Sequence, residues 1–135
     1  MRAIINDIML RKIHLSSSLK TKISRLIKKI RGKKIVSITF TDDEFIRRLN
    51  RMYRGKDKAT DVLSFSMEEE NLLGDVIISK EQAKRNTKRF NVNFENEILR
   101  LVAHGTLHLL GYDHWRKKDR VLMQKKEEEL LRKVS

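Results

Sequence analysis

The sequence predicts an α+β fold in a single domain, a small mixed sheet of about four strands packed with about five helices. Three observations point there. The 135 residues lie within the usual size of one domain, long enough to bury a core without staples. Short alternating β-rich segments interleave with longer segments of helical periodicity. No repeat, proline-rich break or low-complexity linker divides the chain, so residues 1–135 are expected to form one unit.

Residues 2–6 form a short first strand. Ser16, Ser17 and Ser18 then offer N-caps to a helix carrying Leu19, Ile23, Leu26, Ile27 and Ile30 at helical spacing, stopped by Gly32. Residues 34–40 alternate, with Val36, Ile38 and Phe40 on one face, as a half-buried strand does. Thr41 and Glu44 have the spacing of a capping box, and the helix they start is expected to bury Phe45, Ile46, Leu49, Met52 and Tyr53. After a polar loop at 55–60, the β-rich segments 62–66 and 75–79 are expected to pair antiparallel across an irregular connection. Ser79 with Gln82 caps a further helix. Asn93 precedes a long one, with Phe94, Ile98, Leu101, Val102 and Leu109 recurring up to Gly111. A charged helix completes the chain.

The chain has no cysteine, which excludes disulfides, iron–sulfur clusters and thiolate zinc sites and leaves His, Asp and Glu as metal donors. Thirty-one Lys and Arg against eighteen Asp and Glu give a formal charge of +13, a field that attracts polyanions. The densest basic stretches are 20–34 and 47–58. The apolar N-terminal stretch is interrupted by Asn6, Asp7 and Arg11, and no segment has the length of a signal peptide or membrane span. Nucleic acid is therefore the expected partner class, no membrane partner is expected, and a cytoplasmic location is the simplest reading.

Of the four histidines, three fall in the segment HGTLHLLGYDH at 104–114. Residues i and i+4 of a helix differ by about 40° around its axis and about 6 Å along it, so His104 and His108 can converge on one ion. Gly111 can take the left-handed conformation that ends a helix and turns the chain back, bringing His114 as a third ligand. Three neutral imidazoles leave one tetrahedral position open, as catalytic zinc sites do. One zinc per chain at the end of the long helix is the expectation. His14 stands alone and is expected to be solvated or hydrogen-bonded.

The spacing resembles the extended zinc-peptidase pattern His-Glu-x-x-His-x-x-Gly-x-x-His, with one difference. Position 105 is glycine where peptidases place the glutamate that acts as general base. The metal cradle is kept while the peptide-cleaving base is missing. Gly105 instead allows a close approach to the helix by a packed strand or a substrate backbone.

Three blocks together resemble the YbeY family of bacterial endoribonucleases associated with ribosomal RNA maturation. They are LNRMYRGKDKATDVLSF at 49–65, Gly74 with Asp75, and the histidine segment 104–114. The resemblance implies zinc at His104, His108 and His114, with Arg54 and His104 as catalytic residues. It also implies a zinc-dependent endoribonuclease specific for single strands, acting in small-subunit rRNA 3′-end processing and ribosome quality control, with ribosomal RNA and ribosomal particles as partners. Ala59 and Ser66 stand where the family often has prolines, which removes one source of loop stiffness. A guanidinium suits Arg54's implied role, because its planar fork of donors matches a phosphate bidentately. Asp57, Thr60, Asp61 and Asp75 are read as capping and turn residues. The competing functions are a zinc peptidase-like hydrolase and a non-catalytic RNA-binding assembly factor with a structural zinc.

Overall fold

The computed structural model describes residues 1–7, 13–67, 69–113 and 115–134. Along the chain run β1 (Arg2–Asp7), α1 (Ser17–Lys28), β2 (Ile35–Thr41), α2 (Asp43–Arg54), β3 (Val62–Ser66), β4 (Leu72–Ser79), α3 (Lys80–Phe90), α4 (Phe94–Leu109) and α5 (Lys117–Arg132). The four strands form one mixed sheet in the order β1-β2-β4-β3. β1, β2 and β4 run parallel, and β3 returns antiparallel to β4 as the edge strand. This is the expected α+β architecture.

The alternation of β2 is realised. Val36, Ile38 and Phe40 are buried beneath α1 and α4, together with Val76 and Ile78 of β4. α1 begins where Ser16 Oγ accepts the Leu19 amide at 3.1 Å and buries Leu19, Ile23, Leu26 and Ile27, each contributing roughly 1.5–3 kcal/mol. Its last turn ends at Lys28, short of Ile30, which is nevertheless buried. On the opposite face a smaller apolar cluster joins Ile46 of α2 to Leu63 and Ile77. α5 packs on α4.

Two local expectations are corrected. Asp42, one residue later than Thr41, caps α2, its Oδ1 accepting the Phe45 amide at 2.9 Å. Thr41 is held in the last rung of β2 opposite Ser79, and Glu44 receives Arg48 Nη2 at 2.7 Å instead of turning back to the cap. The second correction concerns burial on α2, where Ile46 and Asn50 are buried while Met52 and Tyr53 are 71% and 65% exposed. The apolar cluster that receives α2 is small, so the end of the helix has no surface to cover.

Candidate active site

α4 is positioned by both of its ends and by the sheet. Asn93 Oδ1 accepts the Asn96 amide at 2.8 Å, and Ile98, Leu101, Val102 and Leu107 enter the main core. Gly105 lies against the sheet so closely that a Cβ there would stand 2.5 Å from Val76 Cγ1 and 3.1 Å from Ser64 Oγ. Ser64 Oγ donates to the Gly105 carbonyl at 2.9 Å, tying helix to strand. The close approach foreseen for this glycine is thus made by packed strands.

His104 and His108 are half-buried one turn apart, their rings 5.0 Å between centroids and inclined at 77°. His104 Nδ1 lies 2.5 Å from Glu127 Oε1 of α5. Beyond His108 the helix closes on Leu110, and Gly111 takes φ +96° while Tyr112 donates its amide to the Leu107 carbonyl at 3.0 Å. The chain turns back as expected for a glycine there. The third expected ligand, His114, lies outside the described residues.

Arg54 arrives from the other side. It ends α2, its Nη2 donates to the Ser64 carbonyl at 3.1 Å, and its guanidinium stands 5.7 Å from the centre of the Phe65 ring. Arg54, His104 and His108 line one open cleft of about 530 Å³ beside β3, together with Lys56, Asp61, Ser64 and Trp115. Lys56 adds a second cation to the lining of the cleft. The preceding loop needs no proline to hold its course. Asn50, almost fully buried, donates to the Lys58 carbonyl at 2.9 Å, and Arg47 grips Asp57 through two hydrogen bonds of 2.9 and 3.1 Å. The hydrogen bond from Arg47 holds the Asp57 carboxyl below the usual carboxylate range.

Behind the cleft runs a polar chain. Asn86 Nδ2 donates to Glu97 at 2.7 Å and reaches Asp61 at 3.3 Å. Arg100 binds both oxygens of Glu97 at 2.8 and 2.9 Å, and this hydrogen bonding raises the arginine pKa, with the nearby Asp61 and Glu127 charges adding to it. Glu97 is buried and charged-partnered on both oxygens, as such a group must be.

Among the described residues no three His, Cys, Asp or Glu side chains group so as to hold a metal ion. The two imidazoles that open on the cleft are donors of the kind zinc takes, and contact between a carboxylate and the far nitrogen of one of them is a feature of histidine metal ligands. The donor set described therefore fits a zinc ligand pair that His114 would complete.

Sequence reasoning located His104 and His108 by spacing and Arg54 by resemblance, and all three meet in the cleft. His14 is exposed. Asp75 faces away from α4, next to Phe65 and Ser37 in the sheet register, with Oδ1 buried and unpartnered. Thr60 and Asp61, read as turn residues, line the cleft. Glu127 went unnoticed inside the acidic run 127–129. Its spacing from Met123 and Leu130 carried a signal, since the three share one helix face.

A family model described as Endoribonuclease YbeY matches residues 6–135. A protein named Endoribonuclease YbeY from Desulforamulus reducens is 47% identical, the match covering 73% of this chain and 71% of that protein. One of the same name from Pelotomaculum thermopropionicum is 46% identical over 74% and 72%. The solution structure of TM1509 from Thermotoga maritima superimposes with a TM-score of 0.69 and 32% identity, covering 98% of this chain and 87% of that one.

Proposed function

The chain belongs to the Endoribonuclease YbeY family, and from that premise we propose that it is a zinc-dependent, single-strand-specific endoribonuclease acting in ribosomal RNA maturation and ribosome quality control in the cytoplasm. The observation that carries the site assignment is the meeting of Arg54 with His104 and His108 in one cleft, from helices far apart in the chain. His104, His108 and His114 would hold one zinc, which when bound supplies Lewis acidity beside the scissile phosphate. Arg54 binds a phosphate oxygen pair through its guanidinium fork, already oriented by the Ser64 carbonyl and the Phe65 ring. Lys56 adds attraction for the adjoining phosphates. The cleft lies along the edge strand β3 and is open to solvent, which suits entry of an unpaired strand. Among the described residues no helix is long and apolar enough to cross a membrane.

Gly105, packed against Val76, has no carboxylate to act as a peptidase base, and this weighs against the peptidase-like reading. The experiment pairs two variants in metal analysis and in cleavage of a single-stranded RNA oligonucleotide. His104→Ala is expected to lose zinc and cleavage together. Arg54→Ala is expected to keep zinc and lose turnover by about 10²-fold or more, because arginine offers no lone pair to a metal yet stabilises developing charge. Full zinc occupancy in His104→Ala would sink the ligand assignment. Wild-type cleavage by Arg54→Ala would sink the phosphate clamp.

A further inference from the structure

Glu127 lies on α5, outside the three sequence blocks that mark the family, and it is not an ordinary surface acid. Met123, Glu127 and Leu130 fall at i, i+4 and i+7, the stripe by which α5 meets α4. Met123 and Leu130 are buried, and the Glu127 side chain is 12% exposed. Its neighbours behave differently. Glu128 is exposed, and Glu129 pairs with Lys126 and Lys133 at the surface. A carboxylate on the inward stripe of a helix must find a donor, and Glu127 finds His104 Nδ1 at 2.5 Å. Among the described residues Arg100 also feels its charge, and that guanidinium is already engaged by Glu97 on both oxygens.

A neutral imidazole carries one N–H and one lone pair. A carboxylate against Nδ1 favours the tautomer that carries its proton on Nδ1 and its lone pair on Nε2. We propose that Glu127 is a positioning residue that holds His104 in the Nδ1–H tautomer and in one ring orientation, so that Nε2 is the nitrogen presented to a divalent cation, and that it thereby sets the affinity of the site for zinc. This rests on the reading of His104 as a zinc ligand. The physical reason is that a carboxylate hydrogen-bonded to the far nitrogen fixes the tautomer and raises the basicity of the ligating one. α5 thus has a duty in the site beyond covering α4.

The test measures two things on the full-length chain, zinc affinity by titration against a competing chelator and the tautomer of His104 by nitrogen NMR of the zinc-free protein. Glu127→Ala is expected to weaken zinc binding by about 10- to 100-fold and to release His104 into a mixture of tautomers. Glu127→Gln keeps an acceptor oxygen at the same place and is expected to recover part of both, and it also serves should Glu127→Ala fold poorly. A merely structural contact between helices would lower thermal stability while leaving the tautomer unmoved. Wild-type zinc affinity together with an unchanged His104 tautomer in folded Glu127→Ala overturns the inference, and so does full wild-type zinc affinity in Glu127→Gln, which keeps the acceptor but not the charge. Should the wild-type protein bind no zinc, the metal reading falls separately, and a His104 tautomer indifferent to both variants removes Glu127's role as well.

Discussion

Helices α4 and α5 are sixteen residues long each and lie against one another, but they are secured in different ways. α4 buries nine residues and has its first turn capped by Asn93. α5 buries Met123 and Leu130, has no side-chain cap at Arg116, and presents solvent with a dense run of charges. Since a buried aliphatic side chain contributes roughly 1.5–3 kcal/mol, α4 is fixed along its length and α5 chiefly at two points. The two imidazoles stand on the helix that the core immobilises. The single carboxylate contributed by α5 stands between its two anchors, where that helix is best located. A site that needs orientation within fractions of an ångström takes its groups from such places.

The strongest way to break the contrast is to push α4 off the sheet. Gly105→Ala adds a Cβ that meets Val76 Cγ1 at 2.5 Å, and Val76 is fully buried. The gain in helix propensity is outweighed, and a net loss of about 1–3 kcal/mol is expected by urea denaturation. Glu128→Ala, on the exposed side of α5, is expected to stay within about 0.5 kcal/mol of wild type. Equal costs for the two substitutions would mean that α4 is no more rigidly seated than α5.

A smaller effect is expected at the helix starts. Asn93→Ala removes the acceptor of the Asn96 amide and should cost about 1 kcal/mol. Arg116→Asp supplies α5 with the cap it lacks and a negative charge at the positive end of its dipole, for a gain of about 0.5–1 kcal/mol. Thermal melts of the two variants should move in opposite directions. A neutral Arg116→Asp would show that the start of α5 is already satisfied by other means.

The smallest expected effect is the acid sensitivity of α5. The hydrogen bond from Lys133, with the charges of Lys126 and Lys133, holds the Glu129 carboxyl below its ordinary value. A carboxyl depressed on folding stabilises the native state above its unfolded pKa, and this contribution disappears as pH falls through the folded one. Glu129→Gln should therefore differ slightly from wild type near neutral pH and match it in acid. Because Glu129 is solvated, a large difference at neutral pH would contradict the picture of α5 as a helix held by its inner stripe.

Much of the fold was legible beforehand. Val36, Ile38 and Phe40 alternate because a strand has period two, and Leu19, Ile23, Leu26 and Ile27 recur because a helix has period 3.6, so periodicity alone identified their buried faces. Ser16, Ser79 and Asn93 cap helices through side chains that reach amides only three residues away. Met52 and Tyr53 followed the same helical rule and are exposed, since the rule identifies a face but does not supply a surface to cover it. The capping of α2 slipped by one residue because Thr41 had a competing partner in the sheet, opposite Ser79.

What the sequence by itself determined is whatever local geometry dictates: the order and kind of the elements, the caps of α1, α3 and α4, and the pair His104 and His108, whose spacing of four residues implies a shared helix face. Only the tertiary structure decided the strand order β1-β2-β4-β3, the exposure of the end of α2, the arrival of Arg54 beside the histidines, and the pairing of Glu127 with His104 across twenty-three residues. Those features depend on how separate elements meet. Such distances are set by packing, by the missing side chain of Gly105 and by the small apolar cluster under α2, and no period along the chain encodes them.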